Sequence, residues 1–291
     1  MSAQVWPPIS HEALIKAEEE HLAAELEWLL SLLQENLASL KSGLQECVDL
    51  LAPHEPGSTL ALSSLRSESV KGFVTMVGTR IIKGDISLRL LTHPPHRTRL
   101  TSPVPLPQLH HLHTLLHTSL DILDIATYTG DPTSGPFISS QLKLLSDTIS
   151  EACATLKGGD DAPGSVHWFE NAPVDWDPEL PNNLSLHLSI VDAAVVLQIR
   201  TLFPSSSADS SLTGLSLRTR LGLGPKTPIH DELDQTFQWQ GGEVVVREKV
   251  RVEAQDPGLL AVMAKLSAVG HAVQGWRAKV GVVMGEEVEA E

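Results

Sequence analysis

The stretch LHHLHTLLHTSLD, Leu109 to Asp121, carries His110, His111, His113 and His117 within thirteen residues. On a helix, His110, His113 and His117 fall within about 60° of one another, so three imidazoles can face one point, as a zinc site requires. The neighbouring residues argue against that use. Leu109, Leu112, Leu116, Leu120 and Leu123 form an apolar stripe, and the histidines flank it by roughly 90° at about 100° per residue. Flanking polar residues at a helix interface need no metal. The Glu that follows the first His of an HExxH pair is missing, and no cysteine lies nearby to complete a ligand set. A zinc-dependent hydrolase built on His110, His113 and His117 is therefore the alternative expectation, and a polar flank the main one.

Two other patterns touch on chemistry. GLGPKT, Gly222 to Thr227, hints at a phosphate loop, but Pro225 removes an amide that phosphate needs and the Gly-Lys-Ser/Thr ending is absent. No Gly-x-Ser-x-Gly nucleophile elbow occurs. On a strand over Val244 to Val252, strict alternation puts Arg247, Lys249 and Arg251 on one face with Val245. That row reads either as a solvated sheet face or as a docking face for an acidic partner. The expectation is no catalytic residue, no cofactor, and partner binding at Arg247, Lys249 and Arg251.

The bulk composition points the same way. In 291 residues, 21 Lys and Arg stand against 36 Asp and Glu, a net charge of −15, so nucleic-acid backbones and anionic lipid surfaces are repelled on average. Aromatic residues make up 4% of the chain against 42% hydrophobic residues, so aliphatic packing dominates. Cys47 and Cys153 sit in helical patterns and read as reduced thiols of an intracellular protein. MSAQVWPPIS lacks a basic region followed by an apolar stretch, and the longest apolar runs, such as Ala193 to Leu197, fall far short of a membrane span. A cytoplasmic protein is expected, with the sequon at Asn183 unused.

Ser10 can cap a first helix whose leucines, from Leu22 to Leu51, recur at an average step of about 3.6. That is the period of a helix in a bundle rather than of a supercoiled zipper. A hairpin follows in VKGFVTMV and DISLRLL, broken by Gly78 and Gly84. Helices are expected over Leu106 to Tyr128 and Phe137 to Leu156. NLSLHLSIV alternates strictly, with Leu184, Leu186, Leu188 and Ile190 on one face and Ser185, His187 and Ser189 on the other. AVVLQIRTLF pairs with it across Asp192-Ala193, a second hairpin turns about Gly241-Gly242, and Pro257 opens a last helix to about Val280.

The fold class is α+β: an elongated, discontinuous antiparallel helical bundle plus a separate, mostly antiparallel β-sheet domain. The bundle would take residues 11–52, 105–158 and 256–280, and the β-domain 60–92 and 182–254. Residues 205–225 read as a flexible insertion and 281–291 as an acidic tail.

EEEHLAAELEWLL in the first helix, SVKGFVTMVGTRIIKGDISLRLL as the hairpin, and LPNNLSLHLSIVDAAVVLQIRTL before TFQWQGGEVVVREKV together resemble the Rogdi family, the small subunit of the RAVE complex. The likeness is colinear over most of the chain, with little at Ser205–Pro225 or in the histidine-rich helix. It implies a non-catalytic two-domain interaction module. In fungi that family works with a large β-propeller scaffold subunit and a ubiquitin-ligase adaptor protein. Together they rejoin the peripheral and membrane sectors of the vacuolar proton-ATPase, so the resemblance implies peripheral recruitment to vacuolar or endosomal membranes through partners. Related animal proteins work with rabconnectin-type scaffolds. A self-associating helical scaffold is the remaining alternative.

Overall fold

The computed structural model describes residues 10–64, 68–159, 161–170, 174–205, 230–233 and 235–285. The segments expected as an insertion at 205–225, apart from Ser205, and the GLGPKT stretch lie outside them. So does the acidic tail beyond Gly285.

Among the described residues, four α-helices and two antiparallel sheets make the chain mixed α+β. In chain order they are α1 (His11–Leu51), β1 (Ser58–Ser63), β2 (Val70–Val77), β3 (Arg80–Leu88), β4 (His96–Leu100) and β5 (Val104–Pro105). Then come α2 (Pro107–Asp124), α3 (Gly135–Lys157), β6 (Trp176–Asp177), β7 (Leu184–Val191) and β8 (Ala194–Pro204). β9 (Thr236–Trp239), β10 (Gly242–Gln255) and α4 (Pro257–Met284) are the last of the described elements. The described residues fall into two compact units, one drawn from Met1–Cys47, Leu115–Glu151 and Lys265–Glu291, the other from Val48–Thr114 and Ala152–Ala264.

In the first unit, Ser10 Oγ accepts the Ala13 amide at 3.3 Å and starts α1, whose 41 residues span roughly 60 Å at about 1.5 Å each. Leu29, Leu33, Leu37, Leu40, Leu44 and Cys47 are buried, which is the face the leucine period marks. The stripe extends further than the core does: Leu22 is 41% exposed. Lys41 pairs with Asp124 of α2, and Lys265 of α4 with Glu46 of α1. An added Cβ on Gly43 would lie 3.0 Å from Val269, so α1 and α4 run antiparallel, with 43 beside 269 and 46 beside 265. α2 stops at Asp124, where the chain widens into a π-turn over Ile125–Thr129; the expected continuous helix to Tyr128 is corrected there. α4 runs to Met284, so residues 281–284 are helical rather than tail.

The second unit holds both sheets. One has the order β1-β2-β3-β4-β6, with β5 also on β3, and the other β7-β8-β10-β9. The six expected strands are joined by four short ones, β1, β4, β5 and β6. β4, HRTRL, carries too little apolar pattern to be read as a strand, and β5 and β6 have two residues each. The β2–β3 hairpin turns at Gly78, φ +56°. Gly84 makes no turn: it lies inside β3 opposite Val74. Asp192 and Ala193 turn β7 into β8 with φ +50° and +55°, the double left-handed geometry of a type I′ turn. Gln240 and Gly241 do the same between β9 and β10, one residue earlier than Gly241-Gly242.

Candidate functional site

On α2, His110 and His117 are exposed and His111 and His113 half-buried, while Leu109, Leu112, Leu116, Leu120 and Leu123 are buried. The leucines take the packed face and the imidazoles its flank. Among the described residues, no group of three or more His, Cys, Asp or Glu side chains is placed to hold a metal ion. The structure therefore does not assemble the ligand set that His110, His113 and His117 would need.

The cationic row on β10 is broken by its backbone. β10 pairs with β8 at Val246↔Leu202 and then at Glu248↔Thr201, leaving Arg247 as the extra residue of a β-bulge. Beyond the bulge the faces exchange. Lys249 and Arg251, opposite Arg200 and Gln198, share a face with Val246, whereas Val245 lies with Glu248, Val250 and Val252. The expectation that Arg247, Lys249 and Arg251 line up with Val245 is thus corrected, because one inserted residue shifts a period-two pattern.

The three cations also have different surroundings. Arg247 lies over the Phe203 ring, 4.7 Å from its centroid. Lys249 is 13% exposed and bonds Asp231 Oδ1 and Oδ2 at 2.9 Å and Glu232 Oε1 at 2.6 Å. Arg251 is half-exposed, with one long contact of 3.4 Å to Glu253. Arg251 presents itself as a surface cation with donors to spare.

Beneath Lys249 sits a residue the sequence reading passed over. Arg200, 2% exposed, donates Nε to Glu232 Oε2 at 2.7 Å and Nη2 to Glu232 Oε1 at 2.8 Å. Nη2 also reaches Gln198 Oε1 at 2.6 Å, and the guanidinium lies 4.8 Å from the Trp168 ring centroid. Trp168 in turn packs against Phe169, Phe237 and Trp239. A charge inside the apolar run AVVLQIRTLF has to find a carboxylate; that was the available signal, and His230-Asp231-Glu232 supplies the answer. Burial raises the Glu232 carboxyl, but hydrogen bonds and positive charge from Arg200 and Lys249 outweigh it and hold it below the ordinary Glu range. The Lys249 hydrogen bond likewise lowers Asp231, against a smaller burial effect. Both carboxylates stay ionised and engaged at neutral pH, so neither is poised as a general acid or base.

The same face opens into a cavity of about 990 Å³. Trp168, Phe169, Trp176 and Phe237 form its apolar part, and Gln198, Lys249 and Arg251 line it from the sheet. Apolar walls with a few directed polar groups are what a binding site needs.

The sequence profile of the family described as Rogdi leucine zipper containing protein matches residues 25–281. A Schizosaccharomyces pombe protein named Regulator of V-ATPase in vacuolar membrane protein 2 is 24% identical over 278 residues, 85% of this chain and 89% of that protein. With the profile matching residues 25–281, well over half of its length, the chain belongs to the Rogdi leucine zipper containing protein family.

Proposed function

We propose that this chain is a non-catalytic regulator of the vacuolar proton-ATPase, acting as the small subunit of a RAVE-like complex. The observation that carries the reading is the colinear relationship, over most of both chains, to a fission-yeast protein named as a regulator of V-ATPase. In this role it binds a large β-propeller scaffold subunit, a ubiquitin-ligase adaptor protein and the peripheral sector of the pump, and promotes rejoining of that sector to the membrane sector. It works from the cytoplasm and reaches vacuolar or endosomal membranes through these partners.

Physical features support an interaction role. Among the described residues, no helix is long and apolar enough to cross a membrane. The start of α1 is exposed and carries Leu14 and Ile15, 53% and 43% exposed, with Leu22 and Trp28 further along at 41% and 63%. These exposed apolar side chains are available to a partner.

Affinity purification of the chain at native expression level, followed by mass spectrometry, tests the reading. Recovery of a β-propeller scaffold and peripheral-sector subunits is the expected result. Recovery of the chain alone would overturn it.

A further inference from the structure

β7 is the edge strand of its sheet, paired with β8 from Leu184↔Thr201 to Val191↔Ala194. In an antiparallel pair every second residue turns its N–H and C=O away from the partner. Ile190 marks which residues these are. Its N–H donates to Gln108 Oε1 at 2.7 Å, and Gln108 Nε2 donates to its carbonyl at 2.9 Å. Gln108 itself is 3% exposed, so a buried side-chain amide stands in for a neighbouring strand. At the other end the Leu184 N–H donates to the Pro181 carbonyl at 2.9 Å. Between these closures, Leu186 and Leu188 direct N–H and C=O groups outward, with no partner among the described residues. Both line the 990 Å³ cavity. The edge is closed at its ends and open in the middle, where an unprotected edge is a template for another chain.

We infer that this stretch of β7 is a strand-addition slot for an extended, acidic segment of a partner polypeptide. Outward N–H and C=O groups repeating at two-residue spacing are matched by another extended main chain, and by few other ligands. Leu184 to Ile190 spans about 20 Å, room for an insert of roughly five residues. Alternate side chains of that insert fall over the sheet face, where Trp168, Phe169 and Phe237 offer apolar contact.

The polar groups set its charge. Asp231 and Glu232 are consumed by Arg200 and Lys249. What remains toward the cavity is donor capacity. The Arg251 guanidinium has one long contact, and Gln198 has given its Oε1 to Arg200 and keeps its amide N–H groups. An insert bearing carboxylates satisfies these donors. In a chain of net charge −15, long-range attraction favours basic peptides, so a preference for acidic ones is a signature of this slot.

The test selects random nine-residue peptides on the full-length protein by display. Each selected sequence is then resynthesised with single N-methyl groups along its backbone. The expected winners alternate apolar and acidic residues. N-methylation at one parity weakens binding about tenfold or more, the equivalent of about 1.4 kcal/mol, while the other parity leaves it unchanged. Arg251→Glu turns the preference toward Lys and Arg. Leu188→Pro removes the binding, and because the N-methyl scan is done on the wild-type chain, the result stands even if that variant does not fold. Selection of no sequence, or of sequences indifferent to N-methyl parity and to Arg251→Glu, overturns the slot. Neither result bears on the proton-ATPase reading, which rests on the relationship to the fission-yeast regulator and is tested by the co-purification.

Discussion

Arg200 and Glu232 meet side by side, Nε to Oε2 at 2.7 Å and Nη2 to Oε1 at 2.8 Å, with 2% and 10% of their side chains exposed. This pair fixes the segment around His230–Leu233 onto β8, and with Lys249 and Asp231 it forms the polar floor beside the cavity. Breaking a buried pair on one side leaves an uncompensated charge, which is costlier than removing both partners. Arg200→Met should therefore destabilise the protein by about 3–5 kcal/mol, whereas Arg200→Met combined with Glu232→Leu should recover a large part of that loss. Urea denaturation of the two variants beside the wild type reads the difference.

The pair also sets a pH dependence. Glu232 titrates below its ordinary value of 4.5 in the folded protein, so the unfolded chain takes up its proton first as the pH drops. Its stabilisation is complete above the ordinary Glu value and is lost as pH falls through the lower folded value. Asp231 adds to the same slope at lower pH. Unfolding free energy should thus decline from about pH 5 to about pH 3 more steeply in the wild type than in Glu232→Gln. Parallel slopes for the two proteins would count against the pairing.

Arg247, Lys249 and Arg251 should respond unequally to truncation. Lys249→Ala removes hydrogen bonds to two carboxylates and should cost about 1.5–3 kcal/mol. Arg247→Ala gives up its position over Phe203, about 0.5–1 kcal/mol. Arg251→Ala should stay within about 0.5 kcal/mol, since its role lies at the surface. Thermal melts of the three single variants give the order.

α1 should show where its leucine stripe stops being core. Leu33, 0% exposed, should cost about 2–5 kcal/mol as Leu33→Ala. Leu22, 41% exposed, should change stability by less than about 0.5 kcal/mol as Leu22→Ala. Chemical denaturation compares them directly.

The histidines of α2 should prove independent of metal. Dialysis against a chelator is expected to leave the unfolding midpoint in place, and elemental analysis of untagged protein should find no stoichiometric zinc. One zinc per chain, lost together with stability, would restore His110, His113 and His117 as ligands.

Local rules made part of this architecture readable before any coordinates. Ser10 is a cap, Leu29 to Leu51 hold a helical period, Leu184 to Ile190 form a strand, and Pro257 opens α4; each signal lies within one element and is met in the structure, although Ser185, on the polar face of that strand, is buried. What escaped depends on two elements at once. The bulge at Arg247 inserts a residue with no glycine to announce it, and only the register against β8 shows that Val245 and Lys249 part company. β5 and β6, at two residues each, exist because β3 and β4 offer them an edge. Arg200 was visible as a charge in an apolar strand, but its partner lies 32 residues on, where no periodicity connects the two. The open middle of β7 was equally hidden, because the Gln108 amide that closes one end comes from α2.

The proton-ATPase reading is tested most directly in cells lacking this chain. Vacuolar pH and the share of peripheral-sector subunits that sediment with membranes would be measured together, with and without re-expression of the full chain. The account predicts an alkaline vacuole and peripheral-sector subunits released into the soluble fraction at unchanged total abundance, both restored on re-expression. A normally acidic vacuole with the peripheral sector fully membrane-bound would contradict it.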